Sequence, residues 1–329
     1  MHAKISRIRG WCGGNNRHDG YTFLHIMQGI SESVHLIDLN FLGYRQAIAA
    51  YLLRGEQEAA LVEVGPASTV NTLRHALEQA GVSPSQLRHL LVTHIHLDHA
   101  GALGVLMQQL PEAVCYVHPV GAPHLADPSR LIASASRLYG ALMDTLWGPV
   151  LPVPAERIRI LQDGERVEVA GRTLIAIDTP GHARHHHAYL DEASGLLFAG
   201  DIAGVRMPNM TYVRPPTPPP ELDLEAWQAS LAKLRALPIR QIALTHFGVF
   251  EDVARHLDEL ERRLLDWGEF TRQRVEQGWS DEQIVAALEA YGNAEMQALG
   301  VEPTRYDLGA GYQLIALGYA RYWRKRQKR

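Results

Sequence analysis

The sequence predicts an α/β protein folded as a four-layer αββα sandwich, with two sheets face to face and helices on both outer sides. Three observations predict it. Short strand-like runs cluster twice, over residues 34–39, 47–53 and 59–64 and again over 158–161, 166–169 and 172–178, with helical stretches after each cluster. Side chains able to bind metal recur at the ends of apolar runs, which suits a site assembled from loops on one edge of a rigid sheet. A chain of 329 residues, 46% hydrophobic and 21% charged, can bury a core of the size this needs.

Residues 1–30 show no clear periodicity, and Gly13-Gly14-Asn15-Asn16 is a turn signal, so this segment reads as a flexible N-terminal arm. The main domain is expected over 31–250. Within the first strand cluster Arg54-Gly55-Glu56 forms the turn of a hairpin. Ser68 as N-cap and Gly81 as stop then place a helix over about 69–80. A turn at 84–87 leads into strand 90–93, followed by a helix over 102–110 and a strand over 114–117. His118, next to Pro119, reads as a buried, hydrogen-bonded imidazole. Residues 127–147 read as one long helix with Leu131, Leu138, Leu142 and Leu146 on one face. Asp163-Gly164 and Ala170-Gly171 are turns within the second strand cluster, and the prolines of 215–220 make a stiff crossover to a helix over 222–237.

From residue 251 to 329 the pattern is wholly helical. Val253, Leu257, Leu260, Leu264 and Trp267 form a short seam expected to dock on the domain. Segments 280–299 and 303–321 complete a C-terminal helical extension that could roof a site. Six basic residues among the last nine complement a helix C-terminus.

The chemistry centres on Thr93-His94-Ile95-His96-Leu97-Asp98-His99-Ala100-Gly101. Three imidazoles and a carboxylate fall within six residues, at the end of a buried strand. In extended backbone His94 and His96 point to the same side and can share one ion, while Asp98 and His99 lie where the chain turns and can face another. Such spacing arises by chance in only about two random chains per thousand, so further ligands should follow. They do: His182 ends Thr179-Pro180-Gly181-His182, Asp201 ends Phe198-Ala199-Gly200-Asp201, and His246 ends Leu244-Thr245-His246.

These motifs, with Glu63 at the first position, resemble the five-motif pattern of the metallo-β-lactamase superfamily, most of all its glyoxalase II-like thioesterases and lactonases. The resemblance spans roughly residues 33–250 and implies the metallo-β-lactamase fold. It implies a binuclear metal centre in which His94, His96 and His182 hold the first ion, Asp98, His99 and His246 the second, and Asp201 bridges them. Zinc is the expected metal, with iron or manganese compatible with the same donors. A metal-bridging hydroxide would attack an ester, thioester or lactone carbonyl, with Asp98 as both ligand and catalytic acceptor orienting it. Glu63 stands where the family usually carries Asp, a residue that supports the metal loop and is worth about ten- to a hundredfold in metal affinity. His186, four residues after His182, takes a supporting role. His185 and His187 are not expected to touch metal. Tyr212 and Arg214, leaving the sheet after Asp201, are expected to contact substrate.

Two other activities share these residues. A mononuclear iron persulfide dioxygenase could be built on His94, His182 and Asp201, but Asp98, His99 and His246 would then be superfluous. A phosphodiesterase or nuclease of the same fold would call for a nucleic-acid module, whereas the net charge is −4 and no basic-aromatic stripe is present. The expected partner is therefore a small-molecule substrate, with neither nucleic acid nor membrane, for a monomer or homodimer. Cys12 and Cys115 imply no disulfide framework, residues 1–20 hold no secretory apolar run, and no apolar run approaches membrane-spanning length. A cytoplasmic protein is expected.

Overall fold

Seven strands form the first sheet in simple sequence order: β1 (Met27–Gly29), β2 (Val34–Asp38), β3 (Ala49–Arg54), β4 (Ala59–Val62), β5 (Leu87–Leu91), β6 (Val114–Val117) and β7 (Ile158–Ile160). The first four pair antiparallel as hairpins, and β4 to β7 pair parallel through helical crossovers. The second sheet holds β8 (Arg166–Val169), β9 (Arg172–Asp178), β10 (His187–Asp191), β11 (Leu196–Phe198), β12 (Gln241–Leu244) and β13 (Gly248–Phe250), in the order β13-β12-β11-β10-β9-β8. This computed structural model describes residues 26–301 and 303–327. Most of the expected N-terminal arm, with Cys12, lies outside the described residues, as do the last two residues of the basic tail.

Alternation along the strands builds the layers. In β2 and β3, Leu36, Tyr51 and Leu53 face the other sheet, where they join Leu174, Tyr189 and Phe198. Ile37, Ala50 and Leu52 face the opposite way, onto helices that supply Leu73, Leu103 and Leu106. The outer face of the second sheet carries Leu197, Ile242 and Leu244 against Trp227, Leu231 and Leu260. Three apolar layers between four structural layers is the expected αββα sandwich. Hydrogen bonds lock the two sheets at one edge: the Tyr51 hydroxyl donates to Leu244 O at 2.6 Å, Tyr189 to Val92 O at 2.9 Å, and His187 N–H to Thr93 O at 2.7 Å.

The C-terminal helices Val253–Glu276, Asp281–Ala298 and Tyr312–Gln327 pack on that outer face. Leu257, Leu260, Leu264 and Trp267 are all buried there, so the apolar seam docks within the chain. Each such side chain contributes about 1.5–3 kcal/mol by leaving water. Ser280 starts the second helix with a reciprocal cap, its hydroxyl accepting from Gln283 N–H while the Gln283 side chain accepts from Ser280 N–H. Among the described residues, no helix is long and apolar enough to cross a membrane.

One expectation changes, and two strands are added. The single helix over 127–147 is two, Ser129–Tyr139 and Met143–Trp147, because Gly140 adopts φ 54° and breaks the ladder between them. The edge strands β1 and β13 have three residues each, too short to show alternation in the sequence.

Candidate metal centre

Four strand ends converge on one edge of the sandwich. His94, His96, Asp98 and His99 follow β5, His182 follows β9, Asp201 follows β11 and His246 follows β12. The chain turns sharply at each. Gly181 lets its backbone approach Trp227, where a Cβ would come within 2.5 Å, and Gly200, at φ 53°, leaves no room for a Cβ beside Thr93 and His186. Glycine at those two positions is what seats His182 and Asp201.

The ligand atoms fall into two sets. His96 Nδ1 lies 2.9 Å from both His94 Nε2 and His182 Nε2. In the other set, His246 Nε2 lies 3.4 Å from Asp98 Oδ2, and His99 Nε2 lies 3.8 Å from the same oxygen. Asp201 reaches both: Oδ2 is 3.4 Å from His182 Nε2, while Oδ1 is 3.4 Å from His99 Nε2 and 3.6 Å from His246 Nε2.

Four of the five imidazoles are oriented from behind. Pro216 O accepts from His182 Nδ1–H at 2.8 Å, and Ala47 O accepts from His246 Nδ1–H at 2.7 Å. Glu63 Oε1 accepts from His99 Nδ1–H at 3.1 Å and from the Thr93 hydroxyl at 2.5 Å. The Thr93 oxygen in turn accepts from His94 Nδ1–H at 3.1 Å. With Nδ1 protonated in these four rings, every Nε2 presents a lone pair to the centre.

This donor set fits cations. His99 Nε2, His246 Nε2 and Asp201 Oδ1 are buried with no hydrogen-bond partner, yet they face one another. Buried polar atoms left so are costly, and a cation satisfies them together. The 3.4 Å separations of Asp201 from His182 and His99, and of Asp98 from His246, match the edge of a tetrahedron whose centre is about 2.0–2.1 Å from each corner, while His96 stands closer, 2.9 Å from His94 and His182. The charges agree. Burial, with neighbouring imidazoles, pushes His94 well below its ordinary range, and His96 down to about 3, so both are neutral. Burial would raise Asp98, but His99 and His246 outweigh it and hold the carboxyl at about 2. Burial likewise would lower His99, but Glu63, Asp201 and Asp98 outweigh it and lift the ring well above its usual value. In the second set, positive charge belongs among the carboxylates.

His186 is not a ligand, because both its nitrogens are engaged. Its Nε2 accepts Asp201 N–H at 3.2 Å, and its Nδ1 meets the Thr179 hydroxyl at 2.9 Å. It steadies the backbone of Asp201. His118, Asp178 and His187 form a further cluster, but Val120 N–H donates to His118 Nδ1 at 3.0 Å, so Nε2 carries the proton and donates to Asp178 Oδ1 at 3.1 Å. No lone pair remains on His118 for a cation.

Tyr212 and Arg214 do not line a substrate pocket. Both are fully enclosed, since the C-terminal extension closes over them: Arg214 donates to Asp307 Oδ1 at 2.7 Å, Ala310 O at 3.1 Å and the Tyr312 hydroxyl at 3.0 Å. Its guanidinium also lies 4.2 Å from the Tyr312 ring centroid. They brace the segment that crosses beside His246, where a Cβ on Gly309 would sit 2.8 Å from the His246 ring. The carbonyl clamps at Ala47 and Pro216, and the close approach of Gly309, have no counterpart in the sequence pattern, since a backbone contact leaves no residue-type signature.

Comparison with known proteins bears on the family and the fold. The sequence profile of the metallo-beta-lactamase superfamily matches residues 43–246. A metallo-beta-lactamase fold-containing protein of Sulfurisphaera tokodaii is 24% identical over 219 residues, 66% of this chain and 78% of its own length. Hydroxyacylglutathione hydrolase of Aeromonas hydrophila is 30% identical over 151 residues, 46% of this chain and 44% of that enzyme, so the match spans less than half of it. The crystal structure of a metallo-beta-lactamase family protein from Thermus thermophilus superposes with a TM-score of 0.69 at 23% identity, covering 91% of this chain and 95% of that one.

Proposed function

The chain belongs to the metallo-beta-lactamase superfamily, and from that premise we propose that it is a dinuclear metal-dependent hydrolase acting on an ester, thioester or lactone carbonyl. The observation that carries the reading is Asp201, which presents one carboxylate oxygen to each ligand set, 3.4 Å from His182 on one side and 3.4 Å from His99 on the other. One carboxylate joining two complete sets is what a pair of cations requires. Sequence similarity to hydroxyacylglutathione hydrolase supports carbonyl chemistry of this kind.

Divalent ions held there, with zinc the expected pair, supply a water acidified towards neutrality and a Lewis acid for the carbonyl oxygen. The chain's own residues do the rest. Asp98 keeps a side chain 22% open to the cleft and stays ionised, so it can accept a proton from the attacking water and orient it. Glu63, Thr93 and the carbonyls of Ala47 and Pro216 fix the rings, so little reorganisation is needed as charge develops.

Metal quantification joined to Asp98→Asn tests the reading. Two ions per chain and a loss of at least about a hundredfold in turnover, with unchanged circular dichroism, are expected. A single ion per chain, or undiminished turnover in the Asp98→Asn variant, would overturn it.

A further inference from the structure

The segment inserted between β6 and β7 buries little of its apolar surface. Within Ser129–Tyr139 only Ala135 is buried, while Leu131, Ile132 and Tyr139 stay half-open and Leu138 is 43% exposed. Leu142 and Met143, just after the break at Gly140, are also half-open. Leu131, Tyr139, Leu142 and Met143 rest part of their surface on the domain core, and the part left open is an apolar face with room for something else.

Position says what that is. Trp147 is buried between two rings, stacked on Phe41 at 5.8 Å and edge-on to Tyr139 at 5.0 Å. Phe41 belongs to the loop that ends at Ala47, whose carbonyl clamps His246. On the other flank, the Ser68 hydroxyl donates to Leu146 O at 2.6 Å, and the preceding Val64 and Gly65 N–H groups donate to His99 O. The insertion is thus tied to the two loops whose backbone holds His246 and His99 from behind. Leu42 and Leu308 stand half-open on the same apolar layer, and Leu308 precedes the glycine that abuts His246. Burial, with the Asp98 charge adding to it, raises the Tyr139 phenol above its ordinary value, so the hydroxyl keeps its proton.

We infer that these side chains form an apolar wall beside the Asp98 and His246 end of the metal centre, and that the substrate carries an apolar acyl group of several methylenes which lies along it. This rests on the hydrolase reading for the position of the reacting carbonyl. The acyl chain covers Leu42, Leu131, Leu142, Met143 and Leu308. Tyr139 closes the inner end, where its hydroxyl can donate to the substrate's carbonyl or leaving oxygen.

Two parallel series test it on the zinc-loaded full chain. The first measures hydrolysis of acetyl, butyryl, hexanoyl and octanoyl thioesters with a common leaving group, and the second measures binding of the matching alkanoates by titration calorimetry. Each added methylene should raise kcat/KM and affinity about two- to fourfold, so octanoyl should exceed acetyl by about sixtyfold or more. Leu142→Ser should shrink that ratio at least about fivefold, and Tyr139→Phe should lower kcat/KM across the series without changing the chain-length slope. Hydrolysis with a flat slope overturns the inference and leaves the hydrolase reading standing. Alkanoate binding that steepens with length and flattens in Leu142→Ser, without hydrolysis of any thioester, supports the inference while the hydrolase reading falls. A flat slope in both series, or a slope indifferent to Leu142→Ser, overturns it.

Discussion

Gly309→Ala should cost the protein its second ion while leaving its fold intact. Gly309 lies outside the left-handed region, so alanine meets no conformational penalty there. The added methyl would instead stand 2.8 Å from His246 Cγ, 2.9 Å from Nδ1 and 3.0 Å from Cβ. Ordinary carbon contacts lie near 3.5–4.0 Å, so ring or loop must move by about 0.5–1 Å. The ring has little freedom, because Ala47 O holds its Nδ1–H at 2.7 Å. Overpacking of this size typically costs about 1–3 kcal/mol. Expressed wholly as weaker binding, that is about a 5- to 150-fold loss in affinity for the ion shared by Asp98, His99 and His246. The assay is chelator competition resolving the two binding steps, with circular dichroism as the check on folding. The ion on His94, His96 and His182 should change by no more than about threefold, since the three atoms nearest that methyl all belong to His246. Gly311→Ala, whose methyl meets only Asp307 O at 3.2 Å, is the neighbouring control. A Gly309→Ala protein with two ions bound at parental affinity would refute the placement of the C-terminal extension against His246.

Glu63→Gln keeps an acceptor for Thr93 and His99 but removes the charge, and should weaken metal binding about ten- to a hundredfold in the same competition assay; parental affinity would refute its supporting role. Arg214→Met breaks an ion pair whose cation is fully enclosed and whose Asp307 partner is 35% open, so urea unfolding should show a loss of about 3 kcal/mol, and less than about 0.5 kcal/mol would show that the brace is idle. His256 is held down to about 4 by burial, with Arg206 adding to the effect, while its Nε2–H donates to Ala203 O at 2.7 Å. A ring depressed in the folded state stabilises fully above the unfolded value near 6.5, and that contribution is lost as pH falls towards 4. The expected loss is about 3 kcal/mol, at about 1.4 kcal/mol per unit. His256→Gln should flatten stability against pH over that window relative to the parent, and parallel curves would refute the assignment.

The candidate ligands are legible in the sequence because their chemistry is local. H-x-H-x-D-H declares itself within six residues, and His182, Asp201 and His246 each follow a small or turn residue at the end of an apolar run. Register is legible too, since Leu36 and Ile37 alternate between two apolar layers as the pattern of β2 requires. What the sequence conceals depends on distance or on backbone. Tyr212 and Arg214 read the same whether they face a cleft or a later helix, and the partners that enclose them, Asp307 and Tyr312, arrive more than ninety residues on. Gly140 does not announce a break, because a lone glycine is tolerated in a helical pattern, and only the tertiary position of Met143–Trp147 requires one.

Those divergences locate the part of the molecule that local pattern does not specify. Where pattern and structure agree, residues are doing what the fold requires: alternating, capping and turning. They part company over the inserted helices, tied to Phe41 and Ser68, and over the C-terminal crossing, which abuts His246. The metal-binding edge is specified by short-range motifs, whereas its walls are assembled from segments distant in the chain. On the hydrolase reading, substrate choice belongs to contacts that motif resemblance cannot carry, since the family resemblance covers residues 43–246 and the crossing at Gly309 lies beyond them. Exchanging the walls should alter which acyl group is accepted long before it disturbs the ions that activate it.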